Sequence, residues 1–221
     1  MHVELSRAEN VDRLVVQCDE PLLGDALSDL FFREESDGYV KHFPRDSVTE
    51  ATLARLEQFL LPMLRQTARL EHTPWEAALH ETATRLDSAG VDWWLTGSAA
   101  LALRGLDVQP RDVDLVVSGE DAARTATVFE DELTEPAVEV EGWFCRWFGR
   151  AWLGARVEWV AGVTDDADRP EPTDFGLVAA AALSTMRWRG LTIRVPPIEL
   201  QRNVSVRRGL SERVRLIDTL R

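Results

Sequence analysis

Asp112 and Asp114 stand two residues apart in Arg111-Asp112-Val113-Asp114-Leu115-Val116-Val117, and their spacing carries chemical meaning. The apolar run behind them is the signature of a core strand, so both carboxylates belong to a rigid element. Side chains alternate faces along a strand, so Asp112 and Asp114 point one way while Val113 points into the core. Two carboxylates about 6–7 Å apart on one strand face repel each other, and each is driven toward its protonated form unless a cation intervenes. A hard divalent ion such as Mg2+, which prefers oxygen ligands, resolves that conflict.

Upstream, Trp94-Leu95-Thr96-Gly97-Ser98 reads as a buried strand ending in Gly-Ser. Ala99-Ala100-Leu101-Ala102-Leu103 has strong helix propensity, with Ser98 as its expected N-cap. Gly97 frees the backbone to turn sharply and lets a ligand approach. The first helical turn then offers unpaired N–H groups to an anion, and the Ser98 hydroxyl can add a bond to the same phosphate. Taken alone, an Asp-x-Asp is usually a solvated strand end and a Gly-Ser before a helix is usually a cap. Their ordered combination is what points to a metal-triphosphate site.

Strand, Gly-Ser, helix, then Asp-x-Asp on the next strand resembles the signature of the nucleotidyltransferase superfamily, the polymerase-beta-like fold. Gly97, Ser98, Asp112 and Asp114 match that pattern position for position. The resemblance implies that Asp112 and Asp114 hold Mg2+, two ions in all, together with a nucleoside triphosphate. It further implies a third carboxylate on a later strand. Glu158, in the β-prone run Ala155-Arg156-Val157-Glu158-Trp159-Val160-Ala161, is the preferred residue for that role. The family usually has Asp there, so Glu158 carries its oxygens one carbon further out. Glu139 and Glu141 are rivals, but Val138-Glu139-Val140-Glu141 alternates like the wet face of a hairpin strand.

The elements that position these residues can be read along the chain. Val11 to Cys18 reads as a strand, and Leu30 to Arg33 and Tyr39 to Phe43 as a hairpin around Ser36-Asp37-Gly38. Ser47-Val48-Thr49-Glu50 has the form of a capping box ahead of a helix with Leu53, Leu56, Phe59, Leu60 and Leu64 on its apolar face. A second helix is expected with Thr73 as cap and Pro74 at its first position, stopping at Gly90. From Val91 the order is strand, helix, strand, a helix over Asp121 to Glu132, and then a strand-rich stretch with Trp143, Phe144, Trp147, Phe148 and Trp152. Those aromatics suit either stacking on a planar ligand or ordinary cross-strand packing. The acidic, Pro-containing segment 164–174 reads as a solvated connection. The fold class expected is α/β (α+β): a nucleotidyltransferase-type mixed sheet flanked by helices. The division expected is a small amino-terminal α/β unit over residues 1–46 and a nucleotidyltransferase-like domain over 47–221, whose carboxy-terminal part is helical.

That carboxy-terminal part, Leu191 to Pro197 followed by a helix, is similar to the tail of small bacterial antibiotic-modifying and abortive-infection toxin nucleotidyltransferases. Arg202, Arg207, Arg208 and Arg213 can supply positive charge to a triphosphate or pair with surface acids, and Arg111 is a similar case.

Composition narrows the partners. In 221 residues, 38 acidic groups against 25 basic ones give a net charge of −13, which argues against a duplex nucleic-acid partner. By electrostatic steering the same balance favours a cationic small molecule over RNA as acceptor. Lys41 is the sole lysine, an arginine bias suggestive of a GC-rich bacterial genome, and it leaves Lys41 alone able to serve as a catalytic lysine. Cys18 and Cys145 lack metal spacing, and the four histidines form no spaced pair. No stretch reaches the roughly 18–20 apolar residues that span a bilayer, and charge follows the first residues, so no membrane partner and a cytoplasmic location are expected.

The leading functional expectation is a Mg2+-dependent transferase that moves a nucleoside monophosphate from an NTP such as ATP to an acceptor, with release of pyrophosphate. Acceptors weighed are a small molecule such as an antibiotic, a tRNA end, or a protein side chain. The alternative is a catalytically weak nucleotide-binding or toxin–antitoxin partner protein on the same fold; a homodimer or protein partner stays open.

Overall fold

The computed structural model describes residues 1–220. The chain opens with strands β1 (His2–Arg7) and β2 (Val11–Gln17), helix α1 (Pro21–Asp29), and strands β3 (Arg33–Glu35) and β4 (Gly38–Pro44). The four strands form an antiparallel sheet in the order β1-β2-β4-β3. Helix α2 (Glu50–Thr67) follows, and its Leu56, Leu60, Met63 and Leu64 share one core with Leu14 and Val16 of β2 and Leu23 and Leu27 of α1. The expected hairpin forms around Asp37-Gly38, but its first arm is shorter than the sequence implies. Leu30, Phe31 and Phe32 instead close α1, whose last turn accepts their backbone N–H groups. The α2 cap also shifts: Thr49 Oγ1 accepts from the Thr52 N–H at 3.1 Å, while the Ser47 hydroxyl turns back to the Pro44 carbonyl.

The second half contains α3 (Trp75–Ser88), β5 (Trp93–Thr96), α4 (Gly97–Leu103), β6 (Asp112–Val117), α5 (Ala122–Val128), β7 (Leu133–Glu139), β8 (Cys145–Trp152) and β9 (Arg156–Val163). Then come α6 (Leu177–Ala180), the hairpin β10 (Ser184–Trp188) and β11 (Leu191–Val195), α7 (Ile198–Arg207) and α8 (Ser211–Asp218). Thr73 and Pro74 precede α3 rather than open it, and Gly90 ends it at φ 67° as expected. The helix expected over Asp121 to Glu132 is broken: α5 covers only its middle, between single 3-10 turns at Gly119–Asp121 and Glu130–Glu132.

The central sheet runs β5-β6-β9-β8-β7 and is mixed, because β6 and β9 are parallel and the other neighbours antiparallel. This is the expected mixed sheet flanked by helices. Register does the positioning: Asp114 lies opposite Glu158, and Asp112 opposite Arg156. Because side chains alternate, the residues between them face the other way. Val113, Leu115, Val157 and Trp159 are buried in the core with Leu79, Ala83 and Leu86 of α3. Gly149 matters here, since a Cβ at that position would overlap the Trp159 ring. One sheet face is therefore closed by apolar packing and the other is left for Asp112, Asp114 and Glu158.

Candidate active site

Asp112, Asp114 and Glu158 meet on the open face of the sheet, each offering a carboxylate oxygen within 4.8 Å of the other two. Parallel pairing of β6 with β9 brings the third carboxylate beside the first two. Glu158 thus stands where the sequence places it. Glu139 is exposed and pairs with Arg146 at 2.8 Å, and Glu141 lies on an exposed turn, so neither rival reaches the cluster.

Asp114 is held well above the usual carboxylate range, first by burial and then by the like charges of Asp112, Glu158 and Asp174. Burial would raise Glu158 as well, but the guanidinium groups of Arg150 and Arg156 outweigh it and bring Glu158 below its ordinary value. Arg150 Nε donates to Glu158 Oε1 at 2.6 Å. Arg156 bridges Asp112 and Glu158. Its Nη1 is buried without a hydrogen-bond partner among the described residues.

Beside Asp114, Gly97 begins α4 at φ 64°, a left-handed conformation that favours glycine. A Cβ there would strike the Asp114 carboxylate, so glycine is required twice over. The helix starts two residues earlier than expected, with Thr96 rather than Ser98 as its N-cap. The Ser98 hydroxyl makes no hydrogen bond among the described residues and faces the cleft. Asp174, from the acidic connection, fixes this turn: its carboxylate accepts from Thr96 Oγ1 at 2.6 Å and from the Gly97 N–H at 3.4 Å. Burial pushes Asp174 up, partly offset by those two donors. Gln201 Nε2 of α7 donates to the Gly97 carbonyl at 3.0 Å.

The cleft has a volume of about 540 Å3, and Gly97, Ser98, Arg111, Asp112, Asp114, Glu158, Arg207 and Arg208 all line it. Arg111 also donates to Asp29 at 2.9 Å and to the Thr67 carbonyl at 3.2 Å. Arg207 donates to the Glu171 carbonyl at 2.6 Å. Arg213 lines the cleft as well, whereas Arg202 turns away to pair with Asp218 at 2.7 Å. Sequence reasoning missed Arg156, Asp174 and Gln201. Arg156 was within reach, since Arg156-Val157-Glu158 alternates as Asp112-Val113-Asp114 does. Asp174 and Gln201 carry no local signal, because only the return of distant segments brings them to Gly97.

The family model described as aminoglycoside-2''-adenylyltransferase matches residues 78–144. That span carries Gly97, Ser98, Asp112 and Asp114, and ends before Glu158. The chain resembles the antibiotic-modifying nucleotidyltransferases. Among solved structures, the chain is similar to the Thermotoga maritima protein TM1012, a provisionally assigned nucleotidyltransferase. Identity is 21%, over 65% of this chain and 89% of that one, with a TM-score of 0.49. It is also similar to ANT(2'')-Ia in complex with adenylyl-2''-tobramycin, at 14% identity over 64% of this chain and 86% of that one, TM-score 0.46. The lincosamide antibiotic adenylyltransferase LnuA, lincomycin-bound, matches at 17% identity over 56% and 80%, TM-score 0.40. No curated protein matches the chain.

Proposed function

We propose that this protein is a Mg2+-dependent nucleotidyltransferase that moves a nucleoside monophosphate from an NTP to the hydroxyl of a small-molecule acceptor. The observation that carries the reading is the convergence of Asp112, Asp114 and Glu158 oxygens within 4.8 Å of one another, in the cleft that Gly97 and Ser98 also line. The donor set suits a hard divalent cation. Three oxygens converge, and Asp114 cannot readily hold its charge beside two other carboxylates without one. Bound by these residues, Mg2+ would polarise phosphoryl oxygens and offset the charge that develops in transfer.

The rest is the work of the chain itself. Ser98, Arg207 and Arg208 suit the triphosphate, and holding it still brings the α-phosphorus in line with the acceptor oxygen. That oxygen forms a bond to the α-phosphorus while the bond to the bridging oxygen breaks, and pyrophosphate leaves with the electron pair. The acceptor proton passes to solvent. Glu158, kept ionised by Arg150 and Arg156, contributes fixed negative charge beside the acceptor oxygen rather than a strong base.

A second reading is favoured by one observation: Glu158 and Asp112 already hold an internal cation, the Arg156 guanidinium. On that reading the protein binds nucleotide, or a protein partner, and turns over little. Thermal stability with each of the four NTPs and Mg2+ tests both. A ligand at a hundred times its dissociation constant stabilises by about 2.7 kcal/mol. A Mg2+-dependent shift lost in Asp112→Asn/Asp114→Asn, with pyrophosphate release on adding acceptor, supports transfer. A shift without release favours the second reading, and no shift in the folded protein sinks both nucleotide readings.

A further inference from the structure

The net charge of −13 suggests a cationic acceptor, but the charges are not placed to receive one. Within the cleft, Asp112, Asp114 and Glu158 form the metal-suited cluster, Asp174 is turned to Thr96 and Gly97, and Asp29 is paired with Arg111. Every carboxylate lining the cleft is thereby engaged. Against them, with Arg207 and Arg208 given to the triphosphate, Arg69 and Arg213 also line it, and neither makes an ion pair among the described residues. A molecule with several ammonium groups would meet surplus guanidinium charge and no spare carboxylate.

The cleft instead presents aromatic rings. Phe31, Trp143 and Phe148 form a triangle of edge-to-face and tilted contacts, with centroids 5.7, 5.8 and 5.7 Å apart, and Phe144 packs behind Trp143 at 4.5 Å. Phe31 is 48% exposed and Trp143 39%, so large apolar surface is left open rather than buried in a core. Phe31 also sits at φ 67°, a left-handed conformation costly for a bulky residue, and is held there by the end of α1.

Sheet order decides which substrate this wall faces. Gly97 and Ser98 lie beyond β5 on one flank of Asp112 and Asp114. Phe148 lies on β8 on the other flank, beyond Glu158, and is paired with Val160. The wall therefore adjoins the third carboxylate, across the cluster from the groups suited to phosphate.

We propose that the acceptor is a hydroxylated, ring-bearing small molecule carrying at most one positive charge, seated on the Phe31–Trp143–Phe148 wall. This rests on the nucleotidyl-transfer reading, and it makes the amino-terminal unit, through Phe31, a determinant of acceptor choice. Aromatic faces recognise rings through dispersion and edge contacts that need no counter-charge.

The test is titration calorimetry with lincomycin and 4-nitrophenyl β-D-glucopyranoside as ring-bearing probes and tobramycin as the polycation. It is run with and without Mg2+ and the NTP that gives the largest thermal shift. Expected is saturable one-to-one binding of at least one ring-bearing probe, at least tenfold tighter than tobramycin. Phe31→Ala and Trp143→Ala should each weaken it at least tenfold, while Phe31→Leu retains most of it. Both positions are exposed, and unliganded melting temperatures confirm that the variants fold. Tighter tobramycin binding, no binding of either ring-bearing probe, or unchanged affinity in the variants would overturn the proposal. So would variants that lose the NTP shift instead, which would assign the wall to the nucleobase. The Mg2+-NTP shift of the unaltered protein is read separately, so failure of the transfer reading shows there and not in the acceptor titration.

Discussion

Lys41, on β4 of the amino-terminal sheet, donates to the Glu135 carboxylate on β7 of the central sheet at 2.5 Å, and both side chains are nearly buried. Glu135 also receives Arg150, and Arg150 donates on to Glu158. Four charges from the two sheets therefore form one buried chain that ends at the carboxylate cluster. Lys41 also lies over the Phe31 and Phe148 rings, at 5.3 and 5.6 Å from their centroids. The sole lysine is thus placed to support the cleft from behind rather than to react within it.

Burial lowers Lys41 to about 8, partly offset by Glu135 and reinforced by Arg150. A lysine whose folded value lies below its unfolded one binds fewer protons when folded. Its charging penalty is full below about pH 8 and is relieved as pH rises toward 10.5. The difference in unfolding free energy between the native protein and Lys41→Met, measured by urea titration from pH 7 to 10, should shift in favour of the native protein as pH rises. A flat difference would show that Lys41 keeps its proton over that range and that burial does not lower it.

Arg150 is fully buried and serves two carboxylates with different nitrogens, Nε to Glu158 and Nη1 to Glu135. Removing one partner from a buried ionic cluster typically costs about 3–5 kcal/mol. Arg150→Met should lose stability on that order, visible in the denaturant midpoint. Arg150→Lys should recover little of it, because one ammonium cannot reproduce a forked donor. Full recovery by lysine would mean that charge alone matters there.

Much of the site was legible because it obeys local rules. Strand alternation predicts that Asp112 and Asp114 share a face, and the β-prone run around Glu158 makes it the candidate for the third carboxylate that the resemblance implies. What stayed hidden depends on tertiary return: Asp174 comes from a stretch that reads as a solvated connection, and Arg150 reads as one more residue of an aromatic-rich strand. Phe31 was misplaced for a different reason. Leu30-Phe31-Phe32 has strand composition, yet hydrogen bonding at the end of α1 overrides that preference.

Gly97 answers to two constraints, a positive φ and the closeness of Asp114. Gly97→Ala should cost about 1–3 kcal/mol from backbone strain alone, and should also displace the Asp114 carboxylate. The expected result is a lowered melting temperature together with a weakened Mg2+-NTP shift. Loss of stability with an intact nucleotide shift would show that the approach of Gly97 to Asp114 has no part in binding.

Asp114 is the residue where stability and function should part most clearly. Burial and the neighbouring carboxylates raise it well above an unfolded aspartate. A raised carboxyl binds more protons in the folded state, so without a cation its contribution falls as pH climbs from near 4 through the raised value, and at neutral pH it opposes folding. Asp114→Asn removes that opposition while keeping the shape. In protein stripped of divalent cations the variant should melt higher at pH 7, by roughly 2–4 °C for each kcal/mol recovered. The same variant should lose the Mg2+-dependent NTP shift. If Asp114→Asn is less stable in the presence of chelator, the strain assigned to the carboxylate cluster is absent and Arg156 already neutralises it.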